Sequence, residues 1–238
     1  MNNTYTIEGI TLKTYNFSEY DKVFVIFSKE NGLLRAIAKN IRKSKNNFGG
    51  MLEPLNVNRI LLRKGKNLEQ IYQSEIVKSF IGIRKDYDKL IYTLFLFEMI
   101  VNFLHDGEIS ENIYNLLIQT LDFLEVSENI LPIIIFFEIN FLKLIGYEND
   151  YYNCYSCQKD LLENKLGFDI YSGNIFCDNC IKKNSKVIDA EILNSIRKIK
   201  NGELENINNF YLEEIQKLFK IYISHLSEKK IKTLDIIG

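Results

Sequence analysis

The pattern of apolar and polar residues changes character near residue 80. Before it, short runs rich in Val, Ile, Leu and Phe alternate with polar turns, which is typical of β-strands. The runs cover residues 4–14, 22–28, 33–39, 56–62 and 68–76. Five strands in so short a segment predict a small closed barrel of the OB type, and another kind of five-stranded roll-up is the alternative.

After residue 80 the apolar residues recur at helical spacing. A helix over residues 86–105 is followed by one that begins at Ser110 and by a third that Ser127 or Asn129 caps and Gly146 ends. Two more are predicted, one opening at Asp189 and one over about 210–230. Residues 133–137 are apolar on every face, so the third helix should cross the centre of its domain.

These elements predict an α+β multidomain protein. An OB-type, nucleic-acid-binding domain occupies residues 1–80, and a mainly helical domain occupies residues 81–238. The helical domain is interrupted at about 150–184 by a segment that contains all the cysteines of the chain.

That segment has the spacing of a zinc ribbon. Its four cysteines form two Cys-x2-Cys pairs separated by nineteen residues, namely Cys154, Cys157, Cys177 and Cys180. Two tight turns of this kind supply four thiolates to one tetrahedral ion. Residues 167–171 and 174–176 are predicted strands, and Ser172 and Gly173 are the predicted hairpin turn between them. Four protein ligands leave no position open for water, so one structural Zn²⁺ is expected; redox pairs or buried thiols are the alternatives.

Charge is distributed unevenly although the net charge is only −1. Residues 1–80 hold 13 Lys+Arg against 7 Asp+Glu, and residues 35–66 contain one acid, Glu53. Four of the six arginines of the chain lie in that window, although lysine is otherwise the prevalent basic residue. This bias favours a nucleic-acid-binding groove over a solvated loop. Phe48 and Tyr72 are nearby for stacking on bases. The candidate contacts are Arg35, Lys39, Arg42, Lys43, Lys45, Arg59, Arg63, Lys64 and Lys66.

The sequence contains no recognisable catalytic motif. The two histidines, His105 and His225, belong to no catalytic motif, and no phosphate-binding glycine loop follows a strand. We therefore expect no enzyme and no small-molecule substrate. Residues 1–10 lack a signal peptide, and the apolar run at 130–145 is too short and too polar to span a membrane. Thiolates that hold zinc are expected in a reducing, cytoplasmic compartment.

Several local phrases, with the order of the elements, resemble the RecO family of bacterial recombination mediators. The most specific are AKNIRKSKNNFGG at 38–50 and the approach LIGY at 144–147 to the first cysteine pair; EGITLKT at 8–14 and ENG at 30–32 support them. The similarity covers essentially the whole chain. One departure is Gly173 followed by Asn174, where the family often has paired glycines, which affects only the turn type.

The resemblance implies a protein that binds single- and double-stranded DNA, anneals complementary strands and acts with RecR. It also implies contact with the acidic C-terminal tail of single-stranded DNA-binding protein, loading of RecA, and association with the nucleoid when acting. The helical domain should provide a groove rimmed by cations for that tail. The candidates for the rim are Arg197, Lys198, Lys200, Lys229 and Lys230.

Two other classes remain open from the residues alone. A zinc-ribbon adaptor could bind RNA or a transcription or translation component through the barrel, but it should not accelerate strand annealing. A thiol oxidoreductase should gain activity when zinc is removed.

Overall fold

The fold is taken from a computed structural model that describes residues 3–42, 50–66, 68–162 and 165–237. By packing, the chain forms two compact units. One comprises Met1–Val126 with Asp235–Gly238, and the other comprises Ser127–Leu234. The predicted domain boundary at residue 80 stays a prediction.

The first unit begins with a five-stranded barrel. Each strand pairs with its neighbours in the order β1-β2-β3-β5-β4, and β4 returns to β1. The contact between β3 and β5 is parallel and short, at Ala36 and Ile37, so the barrel is partly open there. The strands are β1 (Thr4–Asn16), β2 (Lys22–Ser28), β3 (Gly32–Ala38), β4 (Asn56–Arg63) and β5 (Glu69–Ser79). The predicted five-stranded N-terminal sheet of an α+β protein is confirmed, but the predicted full closure of the barrel is not, because β3 and β5 pair at only two residues.

Alternate residues of these strands fill the barrel interior with apolar side chains. The buried cluster includes Ile7, Phe24, Ile26, Ile60 and Leu62. Val23, Val25 and Phe27 point the other way and are also buried, with the Phe27 ring 5.8 Å from Tyr114 of a helix. The strand β2 is therefore covered on both faces, as the unbroken apolar run KVFVIFS indicates.

Three helices complete this unit: α1 (Ile81–Lys85), α2 (Tyr87–Phe103) and α3 (Glu111–Val126). The Asp86 side chain accepts from the Lys89 N–H and caps α2, as predicted. The sequence pattern missed α1, because five residues are too few to show a period. The carboxylate of Glu125 on α3 accepts the N–H groups of Gly82 and Ile83, so the first turn of α1 depends on a tertiary contact.

The second unit contains helices α4 (Leu131–Leu144), α5 (Ala190–Lys200) and α6 (Asn209–Leu226). The predicted central position of α4 is confirmed, since nine of its residues are buried. Its predicted cap is wrong: Ile130 occupies the cap position without a side-chain hydrogen bond, while the Ser127 hydroxyl donates to Asn129 O. The last helix ends at Leu226, earlier than predicted.

Between α4 and α5 in the chain, three strands form a sheet with the spatial order β7-β6-β8. Its strands are β6 (Lys165–Asp169), β7 (Ile175–Cys177) and β8 (Ser185–Asp189). The predicted two-residue turn is wrong, because residues 170–174 form a longer loop. Asp169 accepts from the N–H groups of Tyr171 and Ser172, and the Gly173 N–H donates to Asp169 O at 2.8 Å.

Packing against α6 supports this hairpin. The Phe168 ring lies 6.2 Å from Phe219 and 6.3 Å from Tyr222. Asn149 links the two elements, because its amide donates to Ser172 O and its oxygen accepts from the Tyr222 hydroxyl. The hairpin is thus an insert that rests on the helices of its unit.

Candidate metal centre and nucleic-acid interface

The four cysteines converge at one end of the three-stranded sheet. Cys154 and Cys157 lie in the turn before β6, Cys177 ends β7, and Cys180 ends the following 3₁₀ turn. All four sulfur atoms lie within 4.8 Å of one another. The Tyr155 N–H donates to Ile175 O at 2.9 Å, which holds the first pair against β7.

The donor set fits a tetrahedral metal ion. Zinc–sulfur bonds of about 2.3 Å at tetrahedral angles place two sulfurs about 3.8 Å apart. Cys157 Sγ and Cys177 Sγ are 3.7 Å apart, so the quartet needs little contraction to hold one ion. The geometry gives a cysteine cluster that could hold one metal ion.

Protonation within the quartet is uneven. Burial disfavours the thiolate of Cys154, but backbone N–H groups of Cys157, Cys177 and Ser156 lower its pKa below the usual thiol range. Burial, with the neighbouring sulfurs, raises the pKa of Cys177. A bound divalent cation would override this difference, since coordinating thiols are deprotonated.

The outer face of β1, β4 and β5 is exposed and polar. Residues that pair directly share this face. Along it, Thr4, Arg63 and Gln70 form one row, Thr6, Leu61 and Gln73 the next, and Glu8, Arg59 and Glu75 the third.

An arginine and a tyrosine lie together at one end of this face. A bulge in β5 leaves Tyr72 as an extra residue between the partners of Leu61 and Leu62. The Arg63 guanidinium donates to the Tyr72 hydroxyl at 3.1 Å, and the Tyr72 side chain is 41% exposed. A planar cation beside an accessible ring suits a phosphate next to a stacked base.

Two of the nine predicted DNA-contacting residues form ion pairs with acidic side chains. Arg35 on β3 forms a 2.8 Å ion pair with Asp106. Arg59 lies between Glu8 and Glu75 on the outer face, 4.0 Å from the Glu75 carboxylate. Their charges are therefore partly neutralised. The Arg35 partner is 71 residues away, so no local pattern could predict it.

The other predicted DNA-contacting residues that the structure describes are exposed. Lys39 and Arg42 lie in the turn after β3, and Lys64 and Lys66 lie in the β4–β5 loop beside Arg63. These four form no ion pair with residues in the described ranges. The structure thus brings Arg63, Lys64 and Lys66 together and places Lys39 and Arg42 in a second loop. Lys43, Lys45 and Phe48 lie outside the described residues.

The candidates for the partner groove are dispersed in the second unit. Arg197 is a structural residue, because its guanidinium donates to Tyr151 O at 2.8 Å and to Leu161 O at 3.1 Å. Lys200 is partly buried, 3.7 Å from the Glu148 carboxylate. Lys198 is exposed on α5, and Lys229 and Lys230 are exposed after α6.

The histidines occupy structural surroundings. His225, on α6, lies against the Tyr171 ring with centroids 4.4 Å apart. His105 follows α2, where its backbone N–H donates to the Glu108 carboxylate. Within the described residues, no helix has both the length and the apolar character needed to cross a bilayer.

Comparison with known proteins agrees with this architecture. The family described as recombination protein O N terminal matches residues 1–80, and recombination protein O C terminal matches residues 84–235. The DNA repair protein RecO of Clostridium perfringens is 31% identical and that of Desulforamulus reducens is 26% identical. The alignments cover 96% of this chain and 95% of the first relative, and 98% of this chain and 93% of the second. The chain therefore belongs to the RecO family of DNA repair proteins.

Proposed function

We propose that this protein is a non-enzymatic recombination mediator that binds single- and double-stranded DNA through its barrel. The observation that carries the proposal is the group formed by Arg63, Tyr72, Lys64 and Lys66. It combines cations that lack acidic partners in the described ranges with an accessible ring, at the end of an exposed sheet face. Cations that neutralise phosphates release counterions, and that release favours binding at low salt.

Annealing follows from the same surface. Two complementary strands repel each other through their phosphates, and a shared cationic surface lowers this repulsion. Stacking on Tyr72 is independent of sequence, which leaves base edges available for pairing. Family membership supports the further roles, namely action with RecR and help in loading RecA on protein-coated strands.

The metal cluster has a structural role in this proposal, with zinc as the proposed ion. Four thiolates complete a tetrahedral shell, so the ion would hold the turn before β6 to the end of β7. Zinc is favoured because an all-sulfur tetrahedral set suits it. The barrel carries the DNA contacts, and the cysteine quartet stabilises the insert.

Contact with the acidic tail of single-stranded DNA-binding protein is proposed for the second unit. Lys198, Lys229 and Lys230 are the exposed cations there among those predicted. Titration of a labelled tail peptide against the full chain and against a Lys198→Glu variant tests this role. Equal affinity for both would exclude Lys198.

A matched pair of charge reversals tests the DNA-binding surface. Lys64→Glu should weaken single-strand binding and make the slope of log affinity against log salt shallower by about 0.7, because one phosphate contact is lost. Lys85→Glu makes the same charge change at the exposed end of α1 and is the control. Equal losses in both variants would mean that only net charge matters, which would contradict the assigned surface.

An annealing assay separates the proposal from a zinc-ribbon adaptor for RNA. Complementary strands coated with single-stranded DNA-binding protein are mixed with and without the chain. A mediator should accelerate duplex formation. Tight RNA binding without acceleration would favour the adaptor.

A further inference from the structure

A cleft of about 750 Å³ opens in the wall of the barrel. It exists because β3 pairs with β5 only at Ala36 and Ile37. The preceding half of β3 is met by residues 106–107, where the Gly107 N–H donates to Leu33 O at 2.6 Å. The cleft lies between this half of β3, the start of β1 and the β4–β5 loop.

The cleft has cations at its rim and an unsatisfied acceptor inside. Lys64 and Lys66 contribute exposed ammonium groups that form no ion pair within the described ranges. Glu69 also lines the cleft, and its buried Oε2 atom has no hydrogen-bond partner among the described residues. Arg35 also lines the cleft, but it forms an ion pair with Asp106. The Glu69 carboxylate, which already interacts with the Tyr5 hydroxyl, has acceptor capacity left for a ligand N–H.

The remaining walls are apolar or aromatic. Leu33, Leu34, Leu68 and Tyr5 face the same space. Burial, the adjacent charge of Glu69 and a side-chain hydrogen bond to Glu69 raise the pKa of Tyr5 to about 12, so Tyr5 stays neutral and the two groups are in contact. These flat and branched side chains suit a planar ring, and the volume is within the range of small-ligand sites.

These features require two different groups in one ligand. The lysines attract negative charge, and the Glu69 carboxylate can accept from N–H donors. An inorganic phosphate or an acidic peptide would satisfy the lysines but would bring like charge towards Glu69. A nucleotide carries a phosphate and a base with amino groups, and so satisfies both.

We propose that this cleft receives one base of the bound single strand, with its amino edge on Glu69 and its flanking phosphates on Lys64 and Lys66. This inference rests on the proposed DNA-binding function and adds a base preference to it. Cytosine and adenine present amino groups to a carboxylate. Thymine presents carbonyl oxygens on both sides of its single ring N–H, and these repel a carboxylate. Cytosine should therefore bind better than thymine.

Fluorescence anisotropy with equal-length oligo-dC and oligo-dT measures this preference. Both are flexible pyrimidine strands, so differences in self-stacking are small. The wild-type chain should bind oligo-dC about fivefold more tightly, the lower end expected for a specific base contact. Glu69→Gln should bring the affinity ratio close to one, because an amide both donates and accepts. Glu75→Gln makes the same charge change on the exposed outer face and should keep the ratio.

Each outcome has a distinct meaning. A wild-type ratio near one, or a ratio that Glu69→Gln leaves unchanged, would overturn the base site while DNA binding stands. A ratio that both variants change equally would also overturn it, since charge alone would then explain the effect. Failure of the wild-type chain to bind either strand would refute the proposed function itself. Urea unfolding of each variant is measured alongside, because a partly unfolded chain would also lose the preference; only a folded Glu69→Gln variant with a ratio near one supports the site.

Discussion

Replacing Glu138 with Gln should change how stability depends on pH. Glu138 lies on α4 and is fully buried, and the Gln216 amide on α6 donates to its Oε1 at 3.0 Å. Glu138 Oε2 and Gln216 Oε1 are buried without partners among the described residues. A proton on Glu138 removes the charge that burial disfavours. Burial raises the pKa of Glu138 to about 8, with the Gln216 hydrogen bond opposing it, so the acid is neutral near pH 7.

The size and sign of the effect follow from linkage. An ordinary glutamate in the unfolded chain releases its proton near pH 4.5, whereas folded Glu138 keeps it to about pH 8. The contribution of Glu138 to stability is therefore largest below pH 4.5 and falls as the pH rises from about 4.5 to about 8, by about 1.4 kcal/mol per pH unit and about 5 kcal/mol in all. Gln has no proton to release. Relative to Glu138→Gln, the wild-type chain should lose about 2–3 kcal/mol between pH 6 and 8.

Urea unfolding of both proteins at several pH values between 6 and 9 measures this difference. Comparing variants cancels the titration of the other groups. Glu213→Gln, on an exposed position of α6, removes a carboxylate of the same type and should leave the wild-type pH dependence intact. Parallel pH profiles for the wild type and Glu138→Gln would refute the buried neutral acid.

Three further outcomes are expected. Gly173→Ala should destabilise the chain by more than Gly202→Ala, because a Cβ at Gly173 would lie 2.6 Å from the Tyr222 ring whereas a Cβ at Gly202 would meet no atom. Both glycines have positive φ, so backbone strain is common to the two variants. Equal losses of stability in thermal unfolding would mean that only this strain matters. Arg197→Ala should cost about 2–3 kcal/mol in urea unfolding, because two backbone carbonyls lose a charged donor. Removal of the metal with a chelator should release one ion per chain and disorder the β6–β7 hairpin. Metal analysis measures the release and circular dichroism the loss of structure. An unchanged spectrum after release would argue against a structural metal.

Regular elements of this protein were predictable because their patterns are local. The strand at residues 22–28 and the cap at Asp86 have the predicted positions. The cysteine spacing predicted a quartet that the fold brings within 4.8 Å. Each of these depends on residues close in sequence or on a spacing that one ion imposes.

Features that depend on distant partners were not predictable. The strand β8 is short and largely exposed, and it exists through pairing with β6. The Arg197 side chain looked like a rim cation but donates to backbone carbonyls 36 and 46 residues away. Glu69 gave no signal at all, because the cleft that it lines forms only when β1 and β3 pack beside the β4–β5 loop. Tertiary contacts decide the role of such charged residues.

The salt dependence of single-strand binding tests the central claim most directly. Five of the nine predicted DNA-contacting residues are exposed and lack acidic partners within the described ranges: Lys39, Arg42, Arg63, Lys64 and Lys66. If each neutralises one phosphate, log affinity plotted against log salt should have a slope between about −3 and −4. A slope near zero, or no binding at low salt by protein with its full metal content, would contradict the claim that the barrel of this RecO family member holds DNA by its cations.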